Sequence, residues 1–538
     1  MEYLFMKKCI LVLISAVFGL AALYFLFVLY FNSHIFPRTV IDDANISWCS
    51  ERGASDKIND ILEHYSLTLV AKDDVTDILK GSDISLEYVT DGYGSKVISA
   101  QNPFAWPLHL FKKTVLEADF EIVYDEENLA DVIDGFSCVN VEQVQPEDAY
   151  IDEYVSGVGF AIVPEVIGNV IDKEALKKRI GEALLDMSDE INLTEEHCYI
   201  EPNVYSNDEE IKEQAEYLNN FVKTNITYQF GDDTIVLNGD MVYEWMTIKK
   251  NGKVRLDEDA IKAFVNSLGS KYDTIFRTRT FKTHYGNEVV ISEGDYGWWM
   301  NRSAEVTALI EDIKNGAVGV REPIYFQKAV KYGAKDYGNT YVEVNLTAQH
   351  LFVYKKGKMV LESDFVSGKN TKDRKTPQGV YGITYKERDA TLIGEDYETP
   401  VSYWMPFNGH IGLHDAIWRT KFGSNLYKNG GSHGCINLPF HVAEKIYKIV
   451  EKGTAVICYE LPGTESTETT TQGDEEIADF VVDAIDRIGK ITKADRDKIQ
   501  LNLERIRTSY KELTPAQKKH VTNLDKLEEA EKAIKELK

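Results

Sequence analysis

The chain is poor in cysteine and in positive charge. Only six of its 538 residues are cysteines, and their wide spacing does not require the disulfide framework of small secreted domains. If the chain is exported, one or two disulfide bonds are allowed among Cys49, Cys138, Cys198 and Cys458. Lys and Arg number 60 against 87 Asp and Glu, a net charge of -27. This acidity argues against a nucleic-acid partner, because phosphates would be repelled.

Charge is missing altogether from residues 9–31. At about 1.5 Å per residue this run is long enough to cross a bilayer core of about 30 Å. Its end is bulky where a signal peptide would carry a small-residue cleavage site, which predicts an uncleaved transmembrane anchor. Lys7 and Lys8 precede the run, so residues 1–8 are expected in the cytoplasm and the rest of the chain outside the cell membrane, on the wall side.

The length predicts several domains, and composition indicates where the last one begins. Residues 463–475 are rich in Thr, Glu and Gly and are interpreted as a flexible linker. Apolar residues at helical spacing then predict a small helical bundle over residues 476–538. Thr514-Pro515-Ala516-Gln517 has the pattern of a capping box and predicts the start of the last helix. The bundle carries no His or Cys cluster, so it is expected to be a spacer or to bind an unknown partner.

Residues 40–335 show a mixed α+β pattern with a faint internal echo. Residues 170–176 resemble residues 255–261, each with Asp at the expected N-cap of a helix. The region is therefore divided into two possible units, at about 40–205 and 206–335. Trp298 and Trp299 are interpreted as core residues in the first place, with stacking on sugar rings as the alternative.

Residues 339–460 are rich in strands. Alternating residues at 341–346 and 349–354 predict a hairpin that opens this domain, and Thr376-Pro377-Gln378-Gly379 predicts a further turn. A mostly-β, sandwich-like domain is expected, in which loops between strands carry the functional residues.

The chemistry is concentrated in a glycine-rich run of this domain, Gly430-Gly431-Ser432-His433-Gly434-Cys435-Ile436-Asn437. A thiol near its usual pKa of about 8.5 is mostly protonated at neutral pH, so a nucleophilic Cys435 needs a base. His414, 21 residues upstream, is the favoured general base, and His433 would orient it or stabilise the thiolate. The hydroxyl of Ser432 is expected to bind one imidazole.

Other residues near the nucleophile receive supporting roles. The backbone N–H groups of Gly434 and Cys435 are expected to bind an oxyanion. Asn437 is a candidate for holding a substrate amide. Tyr403 and Trp404 are candidates for the walls of the cleft.

Two other interpretations of Cys435 are weighed. It could be a structural thiol, alone or in a disulfide with Cys458, but glycines and polar neighbours disfavour a packed apolar site. It could also bind zinc with His433 and His414, but a fourth ligand is lacking unless Asp415 serves. No metal and no cofactor are expected.

Residues 341–459 resemble the catalytic domain of the bacterial L,D-transpeptidases, the YkuD type. The resemblance is carried by Ser432-His433-Gly434-Cys435-Ile436-Asn437, by His414, and by the turns at Gly368-Lys369 and Thr376-Pro377-Gln378-Gly379. Asp415 departs from the pattern, since many members have Gly after the upstream histidine. The preceding region more loosely resembles the peptidoglycan-binding domain that often accompanies this catalytic domain in Gram-positive bacteria.

The resemblance implies a function in wall synthesis. Peptidoglycan stem peptides would be the partners: Cys435 would attack the third residue of a tetrapeptide stem and release D-Ala, and an amine of a second stem would complete a 3→3 cross-link. The alternatives are an L,D-carboxypeptidase, in which water resolves the same acyl-enzyme, and a wall-binding protein without activity. The third stem residue, the disulfide pairing, the role of the bundle and the oligomeric state stay open.

Overall fold

The structure is a computed structural model that describes residues 2–41, 44–89, 92–116, 121–394 and 397–537. Its contacts divide the chain into two compact units, residues 1–216 and 217–538. Met1 and Lys538, the ends of the predicted cytoplasmic segment and of the predicted bundle, lie outside the described residues.

The first unit combines short strands with helices. Its elements are α1 Glu2–Phe31, β1 Thr39–Ile41, β2 Ala44–Asn45, α2 Glu51–His64, β3 Ser66–Val70, β4 Thr76–Lys80, β5 Glu87–Tyr88, α3 Tyr93–Ala100, α4 Trp106–His109, β6 Thr114–Leu116, β7 Ile122–Val123, α5 Glu126–Gly135, α6 Ser137–Asn140, β8 Tyr150–Ile151, β9 Ile162–Val163, α7 Lys173–Leu185, β10 Glu190–Asn192 and α8 Glu209–Val222, which crosses the unit boundary.

Helix α1 contains the charge-free run. It is long and apolar enough to cross a membrane. Most of its side chains are exposed, as expected for a helix whose solvent is lipid rather than water.

The second unit begins with another mixed region, whose elements are β11 Asn225–Phe230, β12 Asp233–Leu237, α9 Gly239–Glu244, β13 Met246–Ile248, β14 Val254–Leu256, α10 Glu258–Tyr272, β15 Arg279–Lys282, β16 Glu288–Ile291, β17 Trp299–Met300, α11 Arg302–Lys314, β18 Val318–Arg321 and β19 Tyr325–Gln327.

The two mixed regions repeat one topology. In each, a hairpin is extended by a parallel strand from later in the chain: β3 pairs with β4 and with β10, and β11 pairs with β12 and with β18. The helix directly before the parallel strand is α7 in the first copy and α11 in the second. The predicted echo of residues 170–176 with 255–261 joins α7 to α10 and is wrong in register. Its Asp caps are real, but Asp125 caps α5 in the same way, so the cap does not identify equivalent helices.

The remainder of the second unit comprises β20 Tyr341–Asn345, β21 His350–Lys355, β22 Lys358–Asp364, β23 Gly379–Gly382, β24 Glu387–Ile393, β25 Glu398–Asn408, β26 Ile411–Asp415, β27 Lys421–Gly423, α12 Leu426–Gly430, β28 Ile436–Leu438, α13 Phe440–Ile449, β29 Ala455–Tyr459, β30 Thr469–Thr471, α14 Asp474–Asp486, α15 Arg496–Glu512, α16 Pro515–Lys518 and α17 Leu524–Glu536.

Two sheets form the strand-rich domain. One has the order β22-β21-β20-β29-β23 and the other β24-β25-β26-β28. Buried residues of both sheets, among them Val344, Leu351, Met405 and Leu413, belong to one apolar core. The expected sandwich is confirmed, and it places the ends of β26 and β28 side by side.

The C-terminal helices are part of this core. Phe480 and Val481 of α14 pack with Phe440 and Ile446 of α13 in the same apolar cluster. The segment expected to be a flexible linker is also built into the domain, because β30 pairs with β27 and the buried Gln472 side chain accepts a hydrogen bond from the backbone N–H of Phe440 at 2.7 Å. The helices are therefore an extension of the strand-rich domain.

The capping box at Thr514 is present, with Pro515 at the first helical position. It opens only the four-residue α16, however, and the last helix begins at Leu524. The intervening residues, His520 to Asn523, are weak helix formers, so the cap starts a turn that does not continue.

Candidate active site

The Ser432 side chain holds the loop before β28 in a tight turn. The Ser432 hydroxyl donates to the carbonyl of Cys435 at 2.6 Å and accepts from the backbone N–H of Gly434 at 3.0 Å. The prediction that Ser432 binds an imidazole is not met by these contacts: it shapes the turn that presents the thiol. The N–H of Gly434, expected to bind an oxyanion, is already used by this hydrogen bond.

Gly368 and Gly434 allow the loop that contains Gly368 and Thr376 to lie against the loop before β28. A Cβ on Gly368 would lie 2.8 Å from the Cα of Gly434, and Gly434 itself has φ +127°. Thr376, which is buried, donates to the carbonyl of Gly434 at 2.6 Å and accepts from the N–H of Gly368 at 2.9 Å. The two turns of the sequence pattern thus fix the backbone next to Cys435.

A cavity of about 250 Å³ brings the predicted residues together. It is lined by Cys435, His414, His433, Ser432 and Asn437, with Gly431 beside them. Residues that the sequence did not single out complete its walls: Leu392, Tyr397, Thr399, Trp418 and Arg419. Nothing in their spacing marks these five, because Leu392 and Thr399 come from two paired strands, Tyr397 precedes the second of these strands, and Trp418 and Arg419 lie on the loop between β26 and β27.

A chain of hydrogen bonds fixes the imidazole of His414. Arg419 donates through Nε to Oδ1 of Asn437 at 2.7 Å, and Nδ2 of Asn437 lies 3.0 Å from Nε2 of His414. Nδ1 of His414 lies 2.8 Å from the carbonyl oxygen of Asp415, which requires the proton on Nδ1. Nε2 therefore carries the lone pair, the form that a general base needs.

Burial keeps this imidazole neutral. His414 is 2% exposed, and burial lowers its pKa to about 4, with the Arg419 charge acting in the same direction and the hydrogen bond to Asp415 opposing it. The thiol of Cys435 is half-buried and donates to the carbonyl of His410 at 3.5 Å. Burial raises the pKa of this thiol to about 11, so the resting pair is a neutral thiol and a neutral imidazole.

The carboxylate of Asp415 has a structural role, although the residue is adjacent to His414 in the sequence. Its carboxylate accepts from the backbone N–H groups of Ser402 and Tyr403 at 3.1 and 2.8 Å. Burial raises its pKa to about 6. These contacts tie β26 to β25. Among the described residues, no group of three His, Cys, Asp or Glu side chains has the arrangement of a metal site, and the six cysteines are unpaired.

Tyr403 and Trp404, the candidates for cleft walls, do not line the cavity. The Tyr403 ring packs against Phe440 and Tyr447, and the guanidinium of Arg388 lies over it at 3.7 Å. Trp404 lies behind the site, with its ring 5.8 Å from that of His414. A Cβ on Gly412 would lie 2.6 Å from the Trp404 ring, which explains the glycine two positions before the histidine.

One wall of the cavity is a hairpin. Strands β24 and β25 pair with each other and supply Leu392 and Thr399 to the lining, and Tyr397, immediately before β25, joins them. The ring of Tyr397 lies 5.0 Å from the ring of His433. Of the two strands, β24 is the edge strand of its sheet, and its other support comes from α14, where Asp483 binds Arg388 at 2.7 Å.

Comparison with known proteins identifies this arrangement. Residues 339–458 match the model of the YkuD family, described as the L,D-transpeptidase catalytic domain. Residues 79–192 and 205–319 each match a model described as "Putative peptidoglycan binding domain". The solved structure of an Enterococcus faecium L,D-transpeptidase, a cysteine-to-serine mutant, is 37% identical to the chain, which covers 100% of it. The chain belongs to the L,D-transpeptidase family.

The match to that L,D-transpeptidase covers 46% of the present chain, with a TM-score of 0.38. The separate catalytic domain of the E. faecium L,D-transpeptidase is 46% identical over 22% of the chain and 97% of that domain, with a TM-score of 0.21. The same domain acylated by ertapenem is 48% identical over 23% of the chain and 98% of the domain, with a TM-score of 0.21. No curated protein matches the chain.

These matches confirm both predicted resemblances. They also show that the peptidoglycan-binding model occurs twice, in agreement with the repeated topology of the two mixed regions. The present chain is thus a wall-modifying L,D-transpeptidase. The apolar helix near its N-terminus is compatible with a membrane anchor or a signal sequence.

Proposed function

We propose that this L,D-transpeptidase uses Cys435 as its nucleophile and forms 3→3 cross-links between peptidoglycan stems. The observation that carries the proposal is the single cavity in which the thiol, two imidazoles and the Asn437 amide meet. The donor is a tetrapeptide stem, and the leaving group is its terminal D-Ala.

In the first half-reaction, Sγ of Cys435 attacks the carbonyl carbon of the third stem residue while its proton passes to Nε2 of His414. The C–N bond to D-Ala then breaks, and the imidazolium returns the proton to the leaving amine. In the second half-reaction, a side-chain amine of another stem attacks the thioester. The amine loses its proton to His414, which returns it to the departing sulfur.

In the resting site the Cys435 thiol and the His414 imidazole are both neutral, so this mechanism requires that Nε2 of His414 be free to accept the thiol proton. Nε2 of His414 is engaged by Asn437, so the Asn437 amide must release the imidazole when the thiol proton is transferred. A bound stem amide is a suitable competitor for Asn437, and Arg419 holds the other end of that side chain in place. Asn437 thus couples substrate binding to the availability of the base. The backbone N–H of Cys435 is the proposed oxyanion donor. His433, which lines the same cavity and has its ring 5.0 Å from that of Tyr397, is the second imidazole available to orient the base or stabilise the thiolate.

The location follows from α1 and the wall-acting domain. We assign α1 as a single-pass anchor with Lys7 and Lys8 on the cytoplasmic side, which places the catalytic domain outside the membrane.

The second peptidoglycan-binding-like region offers a contact for the glycan strand. Trp298 is buried, as expected of a core residue, but Trp299 is 42% exposed. The Trp299 ring lies 4.8 Å from that of Phe326, beside a cavity of about 480 Å³ that Phe276 and Arg302 also line. Aromatic faces next to a fixed guanidinium suit a sugar ring that carries carboxylate substituents. Trp299→Ala is therefore expected to weaken sedimentation of the full-length chain with peptidoglycan, while Phe111→Ala, another exposed aromatic, leaves it unchanged.

One assay tests the catalytic proposal. Full-length protein in detergent is incubated with disaccharide-tetrapeptide, and the products are separated by mass spectrometry. A cross-linked dimer with loss of D-Ala supports the transpeptidase, tripeptide alone supports the carboxypeptidase, and unchanged substrate supports the wall-binding alternative. Cys435→Ala should abolish turnover and the ertapenem adduct, and Cys49→Ala is the matched control. Full activity of the Cys435→Ala protein would refute the proposed nucleophile.

A further inference from the structure

Helix α1 is covered along one stripe by its own unit. Ala21, Tyr24, Phe27, Val28 and Phe31 are the less exposed residues of its last turns, at the spacing of one helix face. Much of the cover is the segment Pro103–Phe111, here termed the juxtamembrane segment. The ring of Trp106 lies 4.7 Å from that of Phe27, and the hydroxyl of Tyr24 donates to the carbonyl of Phe104 at 2.9 Å.

The juxtamembrane segment exposes apolar side chains beside the apolar helix. Phe104 is 56% exposed, Leu108 69% and Phe111 84%. Large apolar residues that cluster in this way mark an interaction surface. The patch adjoins α1, whose own apolar side chains are exposed, so the two form one continuous apolar surface.

The position along the helix gives the depth of the segment. Tyr24 lies seven residues before Phe31, which corresponds to about 10 Å along the helix axis. Helix α1 and the predicted span both end at Phe31, so the helix level that the segment contacts is the outer part of the predicted span. Interfacial segments reach about 5–10 Å into the boundary of headgroups and acyl chains, which matches this depth.

The backbone of the segment is suited to a place without water. Pro103 and Pro107 have no N–H to satisfy. The Phe104 N–H is accepted by the Asn102 side chain at 3.2 Å, and the Phe104 carbonyl is satisfied by Tyr24. Gln101 fixes the segment to the end of α1 through hydrogen bonds with the carbonyl of His34 and the N–H of Phe36. A polar backbone in lipid needs such partners.

We propose that the juxtamembrane segment is a lipid-binding site, inserted in the outer leaflet beside α1. Phe104, Leu108 and Phe111 enter the acyl region, while the exposed Lys112 and Lys113 lie at the level of the lipid phosphates. This inference rests on the proposed anchor. Its consequence is that the first unit is held at the membrane surface by two attachments rather than by a single flexible tether.

Photo-crosslinking tests the site. The full-length chain is reconstituted in vesicles of phosphatidylcholine and phosphatidylglycerol with p-benzoylphenylalanine in place of Phe104 or Phe111. Two further positions serve as references: Leu20, 66% exposed on α1, reports on the anchor, and Tyr150, 54% exposed in the same unit, is the matched control. After irradiation, mass spectrometry of the peptides shows whether each position has bound lipid, protein or nothing.

Lipid adducts are expected at positions 20, 104 and 111 and not at 150. Adducts at Leu20 alone would keep the anchor and overturn the juxtamembrane site. A cross-link from position 104 or 111 to another copy of the chain would overturn it in favour of self-association. The absence of lipid adducts at Leu20 would overturn the anchor and the site together.

Discussion

Asp483 on α14 is expected to position one wall of the active site. Its carboxylate accepts from Nη2 of Arg388 on β24 at 2.7 Å and from Nη2 of Arg487 at 2.8 Å, and Arg487 also pairs with Asp389 of β24. The Arg388, Asp483 and Arg487 side chains are 28–33% exposed, so solvent screens these pairs only in part. Asp483→Asn removes the charge at the centre of this network and loosens the edge strand that carries Leu392.

The size of the effect follows from the partial burial. Exposed ion pairs contribute about 0.2–1 kcal/mol each and hydrogen bonds to charged groups somewhat more, so the two contacts of Asp483 together amount to about 1–2 kcal/mol. If the hairpin must be docked for the donor stem to bind, kcat/KM falls by about 5- to 30-fold. Since the hairpin contributes to binding and not to bond breaking, the loss should appear mainly as a higher KM.

The assay is the release of D-Ala from disaccharide-tetrapeptide over a range of substrate concentrations. Asp479→Asn is the matched control: Asp479 lies one turn earlier on α14 and binds Nε2 of His441 on α13 at 2.9 Å, away from the hairpin. Its KM should equal that of the wild type. An unchanged KM in Asp483→Asn, or equal changes in both variants, would refute the reasoning.

Two further predictions concern the proposed nucleophile, Cys435, and its proposed base, His414. Because His414 has a pKa of about 4, it stays neutral as the pH falls, so the rate of acylation by ertapenem should hold its plateau down to about pH 5 rather than halve at the usual histidine value of about 6.5. An acylation rate that falls to half its maximum near pH 6.5 would contradict this expectation. Because the neighbouring Asp415 carboxyl has a pKa raised by burial to about 6, the pH profile is also measured in Asp415→Asn, and the contradiction holds if the half-maximal rate stays near pH 6.5 in that variant. Gly434→Ala should slow acylation at least about tenfold, because φ is +127° there and the new Cβ would lie 3.0 Å from Ile411. Gly430→Ala, with nothing within 4 Å, is its control, and equal rates of acylation in the two variants would count against the proposed close approach.

The sequence predicted the domain types better than the joints between them. Strand alternation was sufficient to predict the sandwich, and the Ser432 to Asn437 run marked a loop that lines the cavity, because both are local patterns. The Thr- and Glu-rich segment before α14 was misjudged, since its composition does not show that β27, some 50 residues earlier, offers an edge for β30 to pair with. The apolar face of α14 could likewise be recognised, but not the α13 surface that covers it.

The same limit applies within the site. Residue type and spacing singled out the thiol and the two imidazoles, and the structure places all three on one cavity. Arg419 and Tyr397 reach the cavity only through the pairing of strands and the path of a loop, and neither has a sequence signature. Ser432 was assigned to the wrong partner because a hydroxyl next to a histidine in sequence turned out to bind the backbone of its own turn.

The order of the strands in the catalytic sheet affects how the enzyme is made. β20, the first strand of the domain, lies between β21 and β29, and β29 is parallel to β20 from more than 100 residues later. The core is then completed by residues of α17, such as Ile534. Pairing of such distant segments must wait until both have been synthesised. A ribosome that stops early therefore releases a chain whose cysteine has no finished sheet behind it, so that premature products of this gene should be inert towards the wall.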